Sequence, residues 1–279
     1  MVISTGGEMT MTRLDYPRDL LHDCHNVAEE TRKEHRMSLA DAIATWIADQ
    51  IRAAGQTGAV VGLSGGIDSA IVSGLCARAM GKENVLGVIL PSHSTRQDVD
   101  DARLTADTWG ISATEIDLSD LYDRFLEALP PGNALANANV KPRLRMISLY
   151  HHANTLGRLV VGTGNKSELM IGYFTKYGDG GVDLLPIGSL YKHQVRDLAR
   201  EIGVPEPIIT KAPSAGLWAG QTDEDEMGMS YEALDQALQA LETGDTSGID
   251  DAVLTKVRRM VETTAHKRQL APVFVPPRA

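Results

Sequence analysis

The hexapeptide at residues 64–69, with the sequence SGGIDS, could hold a phosphate group. It follows an apolar run over 59–63 and precedes a helical pattern, which predicts a turn between a strand and a helix N-terminus. Free backbone N–H groups and the helix dipole attract anions there. Gly65 and Gly66 allow positive φ and close ligand approach, and Asp68 can hold a metal ion on a bound phosphate. The alternative is a capping turn without a ligand.

This hexapeptide differs from two common nucleotide-binding loops. A Walker loop needs G-x-x-x-x-G-K-[ST], and no lysine is present in residues 64–69. The dinucleotide fingerprint G-x-G-x-x-G is also absent there. The pattern S-G-G-x-D-S instead resembles the PP-loop of the ATP pyrophosphatases, which bind the pyrophosphate part of ATP and cleave between its α- and β-phosphates.

Two further stretches carry side chains suited to chemistry. Residues 162–168 (GTGNKSE) again predict a strand, a turn and a helix, and Glu168 could face Asp68 across the sheet edge and share a Mg²⁺ with it. Residues 172–183 place a lysine, two acids and three aromatic residues among four glycines. This composition suits a pocket in which an aromatic side chain stacks on a base or a pyridine ring. A surface loop rich in turns is the alternative.

The elements that must position these residues alternate along the chain. Apolar runs predict strands near 59–63, 85–90, 112–116 and 159–162, and helical patterns predict helices near 67–80, 97–109, 118–127 and 140–156. Such alternation predicts an α/β fold, with a parallel sheet flanked by helices and ligands bound beyond the carboxyl ends of the strands. Both glycine turns, after residues 63 and 162, should lie at that edge.

The regions before the first predicted strand and after the fourth show weaker hydrophobic patterns. Leu39, Ile43, Trp46, Ile47 and Ile51 predict one buried helix face before the first strand. Helical patterns also cover 191–202, 231–242 and 250–264. Residues 211–226 have little periodicity, which is typical of a lid or binding loop, with a disordered acidic loop as the alternative.

The composition excludes several classes of protein. The chain has 279 residues, of which 43% are hydrophobic, enough for one large α/β domain or two small ones. Its net charge of −10 makes general nucleic-acid binding a poor hypothesis. Cys24 and Cys76 are too few for a disulfide framework or a cysteine zinc site. With no long apolar segment and no signal peptide, we expect a cytoplasmic protein that does not bind membranes.

Together these stretches resemble the ammonia-dependent NAD synthetases over residues 38–271. The resemblance rests on the PP-loop, 91–94 (PSHS), 139–146 (NVKPRLRM), 162–168, 174–180 (FTKYGDG), 183–186 (DLLP) and 266–268 (HKR). Among PP-loop enzymes, FTKYGDG is specific to NAD synthetases. The resemblance implies a Rossmann-like adenine nucleotide alpha hydrolase fold over 38–271, an N-terminal extension over 1–37 and a tail over 272–279.

The reaction that this resemblance implies is a two-step amidation, the final step of NAD biosynthesis. The nicotinate carboxylate of deamido-NAD attacks the α-phosphorus of ATP and releases pyrophosphate, and ammonia then displaces AMP. A carboxylate is inert to ammonia because its leaving group would be oxide, whereas AMP leaves readily. Mg²⁺ and backbone N–H groups would stabilise the departing pyrophosphate.

The family's residue roles carry over by position. Asp68 and Glu168 would hold Mg²⁺, and Asp179 is a candidate for capturing or deprotonating ammonium. The implied ATP-binding residues are Gly62, Leu63, Ser64, Gly65, Gly66, Ile67, Asp68, Ser69, Thr163, Lys192 and Ser214. The implied deamido-NAD-binding residues are Arg143, Lys176, Asp183, His266 and Lys267. Ser214 departs from the family, which commonly has threonine there, but serine keeps the hydroxyl.

The nitrogen source and the assembly are further expectations. About 38 residues before the synthetase region cannot hold an amidase domain of typical size, so we expect direct use of ammonia. The family forms homodimers, and the apolar residues Ile147, Leu149 and Tyr150 suggest an interface on the 140–156 helix. We expect residues 211–226 to act as a lid over ATP.

Two rival interpretations stay open. A PP-loop enzyme for thiolation or tRNA modification would need a sulfur-handling cysteine or a basic RNA surface, and neither is evident. A nucleotide-binding regulatory module without catalysis would not need Asp68, Glu168, Lys176 and Lys192, which are all intact.

Overall fold

The protein is represented by a computed structural model that describes residues 37–218 and 220–276. Residues 1–36, which include Cys24 and nearly all of the predicted N-terminal extension, lie outside the described residues. Residues 277–279 of the predicted tail do so as well. Across the two described ranges, the helices are too short or too polar to cross a membrane.

Four parallel strands form the central sheet, in the spatial order β3-β2-β1-β4. Their bounds are Ala59–Gly62 for β1, Val85–Ile89 for β2, Ser112–Glu115 for β3 and Leu159–Val160 for β4. The predicted parallel sheet is therefore confirmed. The fourth strand is shorter than predicted, because the chain after Val160 turns to pair with a later segment. Gly162 N donates to Leu184 O at 2.8 Å.

Helices flank this sheet on both sides. They are α1 (Leu39–Ala53), α2 (Ile67–Met80), α3 (Arg96–Trp109), α4 (Ser119–Glu127), α5 (Ala134–Ala138), α6 (Val140–Leu156), α7 (Lys166–Ile171), α8 (Lys192–Ile202), α9 (Glu206–Thr210), α10 (Asp223–Met227), α11 (Tyr231–Thr243) and α12 (Asp251–Thr263). The predicted helices are present with ends close to those expected. The short helices α5, α9 and α10 were not predicted, because each is shorter than two turns and shows no apolar period.

The buried core explains why the strands are apolar without alternation. Neighbouring strand residues point to opposite faces of the sheet. Val61 belongs to the apolar cluster formed with α1, α2 and α8, whereas Val60 belongs to the cluster formed with α6. Cys76 lies in the first cluster, and burial raises the pKa of its thiol to about 12, which is the state of an unreactive core cysteine.

The predicted buried face of α1 was too wide. Ile43, Ile47 and Ile51 are buried, as expected, and Ala40, Ala44 and Ala48 complete the face. Leu39 and Trp46 are exposed instead. The alanines let the helix approach α2 closely, so the contact lies along the alanine side rather than the tryptophan side.

The strand order decides where a ligand can bind. The chain leaves β1 towards β2 on one side, while β4 pairs with the other side of β1. A crevice opens beyond the carboxyl ends of two such strands. The turns after β1 and after β4 therefore meet at one edge of the sheet, as the sequence predicts.

Candidate active site

The PP-loop follows β1 and needs glycine at one position for steric reasons. Gly65 has φ +78°, and an added Cβ would lie 2.3 Å from the carbonyl oxygen of Asp98. Gly66 has φ −100°, so the prediction of positive φ holds only for Gly65. Because the N-cap residue of α2, Gly66, has no side chain to cap the helix, the first N–H groups of α2 face the loop as an anion site.

The two serines of the loop shape it from within. The hydroxyl of Ser69 donates to Gly66 O at 2.9 Å and lies 3.2 Å from the hydroxyl of Ser64. Gly66 N in turn donates to Ser64 Oγ at 3.3 Å. Ser69 is buried, so its role here is to brace the turn, while Ser64 lines the cavity described below.

Two carboxylates and one lysine from three different helices meet beside the PP-loop. Lys192 Nζ donates to Asp68 Oδ2 at 2.6 Å and to Glu168 Oε1 at 3.1 Å. Asn165 links them further, since it caps α7 in a reciprocal capping box with Glu168 and donates to Asp68 Oδ1 at 3.0 Å. We call Asp68, Glu168 and Lys192 the carboxylate–lysine centre. The predicted meeting of Asp68 and Glu168 is thus observed.

Burial and neighbouring charges oppose each other in the electrostatics of this centre. Lys192 is only 1% exposed, and burial opposes its charge, but Asp68 and Glu168 outweigh that effect and raise its pKa. Burial raises the pKa of Glu168; Lys192 opposes this shift, while the charges of Asp68 and Asp223 add to it. One lysine among three carboxyl groups leaves an excess of negative charge that favours a further cation.

The donor set of the carboxylate–lysine centre fits Mg²⁺. This ion prefers oxygen ligands and commonly takes one or two protein carboxylates together with substrate phosphates. Asp68 and Glu168 both border the cavity and supply such oxygens. Residues 37–218 and 220–276 contain no group of three or more acidic, histidine or cysteine ligands that would hold a metal alone. A magnesium ion here would therefore complete its shell with water or with phosphate oxygens of a substrate.

A cavity of about 410 Å³ opens in front of the centre, and most of the predicted ATP-binding residues line it. Gly65 and Ser69 are the exceptions, since they lie behind the loop surface. The predicted residues that line the cavity are Gly62, Leu63, Ser64, Gly66, Ile67, Asp68, Thr163, Glu168, Asp179, Lys192, Ser214 and Lys267.

Most of the residues predicted to bind deamido-NAD do not line the cavity. Among them, Lys267 lines the cavity, where its Nζ donates to Gly172 O at 2.8 Å and to Phe174 O at 2.9 Å. Arg143 donates to Lys176 O at 3.3 Å. Lys176 Nζ donates to His266 O at 2.7 Å, so these three residues form a group of their own beside the cavity.

Asp183 lies apart from that group. Its carboxylate accepts the hydroxyl of Tyr150 at 2.9 Å and the backbone N–H of Val160 at 2.8 Å. These bonds hold the segment after residue 180 against β4. The structure therefore gives Asp183 a bracing role in the single chain, and its contact with deamido-NAD stays a prediction.

Asp179 faces the cavity from the loop at residues 172–183. Its Oδ1 accepts the N–H of Thr175 at 2.9 Å. Its side chain is accessible from the cavity but has protein around it. Desolvation by this surrounding protein raises the pKa of Asp179. Backbone hydrogen bonds and the charges of Arg145 and Lys267 lower this pKa, but by less. A carboxylate of this kind can bind an ammonium ion or accept its proton.

Two basic cavity residues were not predicted as site residues. Arg145 donates from Nε to Leu90 O at 3.0 Å and borders the cavity, while Arg143 is exposed. Lys211 Nζ lies 2.7 Å from Asp98 Oδ1 and 2.6 Å from Asp101 Oδ2. Arg143 and Arg145 are two residues apart on α6, so they point to different sides of the helix. Nothing in the sequence pairs Lys211 with α3, which is more than 100 residues away in the chain.

The segment predicted as a lid covers one side of the cavity. Lys211, Ser214 and Leu217 all border it. Thr222 caps α10, which begins with four consecutive acidic residues. We call residues 211–218 and 220–222 the cover segment. The predicted absence of regular structure holds for this segment but is wrong for residues 223–226, where the cap and the acidic first turn stabilise a short helix.

Comparison with known proteins identifies the family. A sequence model of the NAD synthase family matches residues 39–271, which is most of the chain. The chain belongs to the NAD synthase family. Its sheet and flanking helices are those of the adenine nucleotide alpha hydrolase fold found in solved NAD synthetases.

Individual relatives within this family are similar over nearly their whole length. An NH₃-dependent NAD⁺ synthetase from Archaeoglobus fulgidus is 50% identical over 237 residues, which cover 84% of this chain and 95% of the relative. Another from Methanosarcina acetivorans is 48% identical, with 83% and 95% covered.

Solved structures give the same result for the fold. An NMN synthetase from Francisella tularensis has a TM-score of 0.78 at 37% identity, with 84% of this chain and 96% of that chain covered. An NH₃-dependent NAD synthetase from Campylobacter jejuni has a TM-score of 0.75 at 30% identity, with 85% and 97% covered.

Proposed function

We propose that this protein is an ammonia-dependent NAD synthetase, which amidates deamido-NAD at the expense of ATP and forms NAD, AMP and pyrophosphate. One observation carries the proposal: the PP-loop and the carboxylate–lysine centre line the same cavity. Similarity to NH₃-dependent NAD⁺ synthetases at 50% and 48% identity supports the substrate and the nitrogen source.

The first step would be adenylation of the nicotinate carboxylate. A carboxylate oxygen attacks the α-phosphorus of ATP, and the bond to the β-phosphate bridging oxygen breaks. The N–H groups of the PP-loop and the ammonium group of Lys192 would hold the pyrophosphate as its charge grows, which is supported by their position at the same cavity. Asp68 and Glu168 would hold Mg²⁺, which supplies Lewis-acid neutralisation of that charge when it is bound.

The second step would be attack of ammonia on the adenylate. An N–C bond forms, the C–O bond to AMP breaks, and the attacking nitrogen loses a proton. Asp179 lies in the cavity with a raised pKa, which suits a group that binds ammonium and takes up a proton. Because the cavity is partly covered, its walls would also limit hydrolysis of the adenylate by water.

The identity of the carboxylate substrate needs a direct test, because one structural neighbour is an NMN synthetase with a TM-score of 0.78. An enzyme of that kind would accept nicotinate mononucleotide in place of the dinucleotide. We favour the dinucleotide, because the curated relatives with 95% of their length covered are NAD⁺ synthetases.

The proposed dimer would complete the dinucleotide side of the site. Ile147 on α6 is 60% exposed, and Leu121 and Phe125 on α4 are 51% and 44% exposed. Leu121 and Phe125 are four residues apart and share one helix face. Arg143 lies on α6 one turn before Ile147, so a second copy docked there would approach the group of Arg143, Lys176 and His266. Sedimentation should give a dimer; a monomer at working concentration would contradict this assembly.

The cover segment would close over bound ATP, and we expect it to be protected from proteases by ATP. Equal cleavage with and without ATP would contradict a lid. The proposed reaction consumes ATP and produces NAD, which suits a cytoplasmic enzyme. The cytoplasmic location stays a prediction.

The experiment that tests the function is an assay of the purified chain with ATP and Mg²⁺. Deamido-NAD and nicotinate mononucleotide are compared as substrates, each with ammonium or glutamine. We expect NAD from deamido-NAD and ammonium, with AMP and pyrophosphate in equal amounts. Product from the mononucleotide alone, or efficient use of glutamine without an added partner, would contradict the proposal.

A further inference from the structure

A continuous chain of hydrogen bonds begins at the cover segment. Lys141, on α6, donates from Nζ to Leu217 O at 2.8 Å. Leu217 N donates to Gln221 Oε1 at 2.8 Å, and Gln221 Nε2 donates to Glu226 Oε2 at 2.7 Å. The chain of bonds therefore runs from α6, through the cover segment, into α10.

Two tyrosines continue this chain to the carboxylate–lysine centre. The hydroxyl of Tyr173 lies 2.7 Å from Glu226 Oε2 and 3.1 Å from Asp223 Oδ1. The hydroxyl of Tyr231 lies 2.9 Å from Asp223 Oδ2 and 3.1 Å from Glu168 Oε1. Glu168 Oε1 is also the oxygen that accepts a hydrogen bond from Lys192. Each hydroxyl has one hydrogen and donates it to one of its two carboxyl neighbours at a time, so hydrogen bonds and close polar contacts together join the cover segment to the centre.

Glu226 is exposed, but burial makes the bonds of the other acidic and tyrosine members nearest the centre hard to replace with water. Tyr231 is 1% exposed, Asp223 4% and Gln221 7%. Leaving a buried polar group without its partner costs about 1–3 kcal/mol. Asp223 N also donates to Pro213 O at 3.0 Å, near the start of the cover segment. Opening of the cover segment would therefore pull Asp223 away from Tyr231.

We propose that Tyr231 and Asp223 are positioning residues that couple closure of the cover segment to the orientation of Glu168. Asp223 also borders the cavity, and in this proposal both residues act through Glu168 rather than on the reacting atoms. The inference rests on the proposed function only in taking Glu168 as a carboxylate that holds Mg²⁺ on ATP. Coupling between two sites is reciprocal: ligand binding at Glu168 tightens the cover segment, and closure of the segment strengthens metal binding.

The first experiment removes a hydroxyl at the centre and observes the cover segment. Tyr231→Phe is treated with chymotrypsin, which cleaves after Leu217 and Trp218, with and without Mg²⁺ and ATP and in the absence of deamido-NAD. We expect ATP to slow cleavage of the wild type but not of this variant. Tyr191→Phe is the matched control, because it also loses a tyrosine bond to a carboxylate, Glu242, at 2.7 Å. It should keep the protection.

The second experiment removes a charge at the cover segment and observes the centre. Lys141→Met is tested for binding of Mn²⁺, the probe metal, by electron paramagnetic resonance with ATP present. We expect a dissociation constant for Mn²⁺ about 5-fold higher than in the wild type. Lys256→Met is the control, because Lys256 also donates to a carbonyl, that of Gly228, but outside the chain of bonds. A simple structural role of Lys141 would leave metal binding unchanged.

The results separate this inference from the proposed function. Wild-type protection in Tyr231→Phe, or wild-type Mn²⁺ binding in Lys141→Met, would overturn the coupling. Asp223→Asn keeps the side-chain shape and should behave like Tyr231→Phe, so the test survives if the tyrosine variant does not fold. Neither readout needs NAD formation. If the cover segment closes as expected but the protein makes no NAD, the proposed function is rejected and the proposed coupling is kept.

Discussion

The two predicted halves of the site differ in how completely one chain builds them. On the ATP side, the PP-loop, Thr163, Glu168 and Lys192 line one cavity. On the dinucleotide side, Lys267 does so, while Arg143, Lys176 and His266 contact one another and Asp183 braces β4.

This difference follows from the origin of each half. The ATP side is assembled at the carboxyl edge of the sheet, where strand order alone brings distant turns together. The dinucleotide side lies on loops and beside the exposed faces of α4 and α6, which have no partner among the described residues. A site of the first kind is formed by folding, whereas a site of the second kind would need a second copy or the ligand.

The largest effect is expected from Asp68→Asn, which keeps the shape but removes the charge that pairs with Lys192. We expect kcat/KM for ATP to fall by about 100–1000-fold, as for loss of a group that stabilises transition-state charge. Binding of deamido-NAD, measured by calorimetry without ATP, should change little. An equal fall in kcat/KM for ATP and in the affinity for deamido-NAD would show that the two halves of the site are not separate.

Asp179→Asn tests the residue that borders both halves. We expect kcat/KM for free ammonia to fall by about 10–100-fold, since the group would no longer accept a proton. Because burial raises the pKa of Asp179, the carboxylate of the wild type is lost at higher pH than that of an ordinary aspartate. The wild-type rate should therefore fall as the pH decreases towards that raised pKa, and the variant should lack this fall. Unchanged ammonia-dependent turnover would exclude the role.

Ile147→Asp tests whether the dinucleotide side depends on a second copy. A charge in the proposed interface should produce monomers by sedimentation and weaken deamido-NAD binding by about 10-fold or more, while ATP binding persists. Leu104→Asp is the control, because Leu104 is 39% exposed on α3, away from the α6 face. Monomers that bind deamido-NAD normally would place the whole substrate site within one chain.

The smallest effect is expected from Gly65→Ala, compared with Gly55→Ala. Both glycines have positive φ, but an added Cβ at Gly55 meets nothing within 4 Å, whereas at Gly65 it meets Asp98 O at 2.3 Å. We expect Gly55→Ala to lower the free energy of unfolding by about 1 kcal/mol and Gly65→Ala by about 1–2 kcal/mol more. Equal losses in urea unfolding would mean that the PP-loop is free to move away from α3.

Much of the fold could be predicted because its signals are local. The strand, glycine turn and helix around residues 59–80 are neighbours in sequence, and the observed α2 has the predicted ends. The capping box of α7 is likewise contained within residues 165–168. By contrast, α10 begins with acidic residues and has no apolar period, so the sequence predicts a loop there instead of a helix.

The site was predictable where a resemblance supplied long-range information. Lys192 lies 124 residues from Asp68 in the chain, and no local pattern joins them. The bonds of Tyr231 to Asp223 and Glu168 were not predicted for the same reason, since a buried tyrosine at the start of a helix is equally compatible with simple packing. Periodicity describes faces of helices and strands but not which faces meet.

The most direct test of the account follows the oxygen atoms of the substrate. Deamido-NAD labelled with ¹⁸O in its nicotinate carboxylate is converted with ATP, Mg²⁺ and ammonium, and the products are analysed by mass spectrometry. Adenylation in the PP-loop cavity predicts one ¹⁸O in AMP and none in pyrophosphate. Label in a phosphate product other than AMP, or NAD formation with unlabelled AMP, would contradict it.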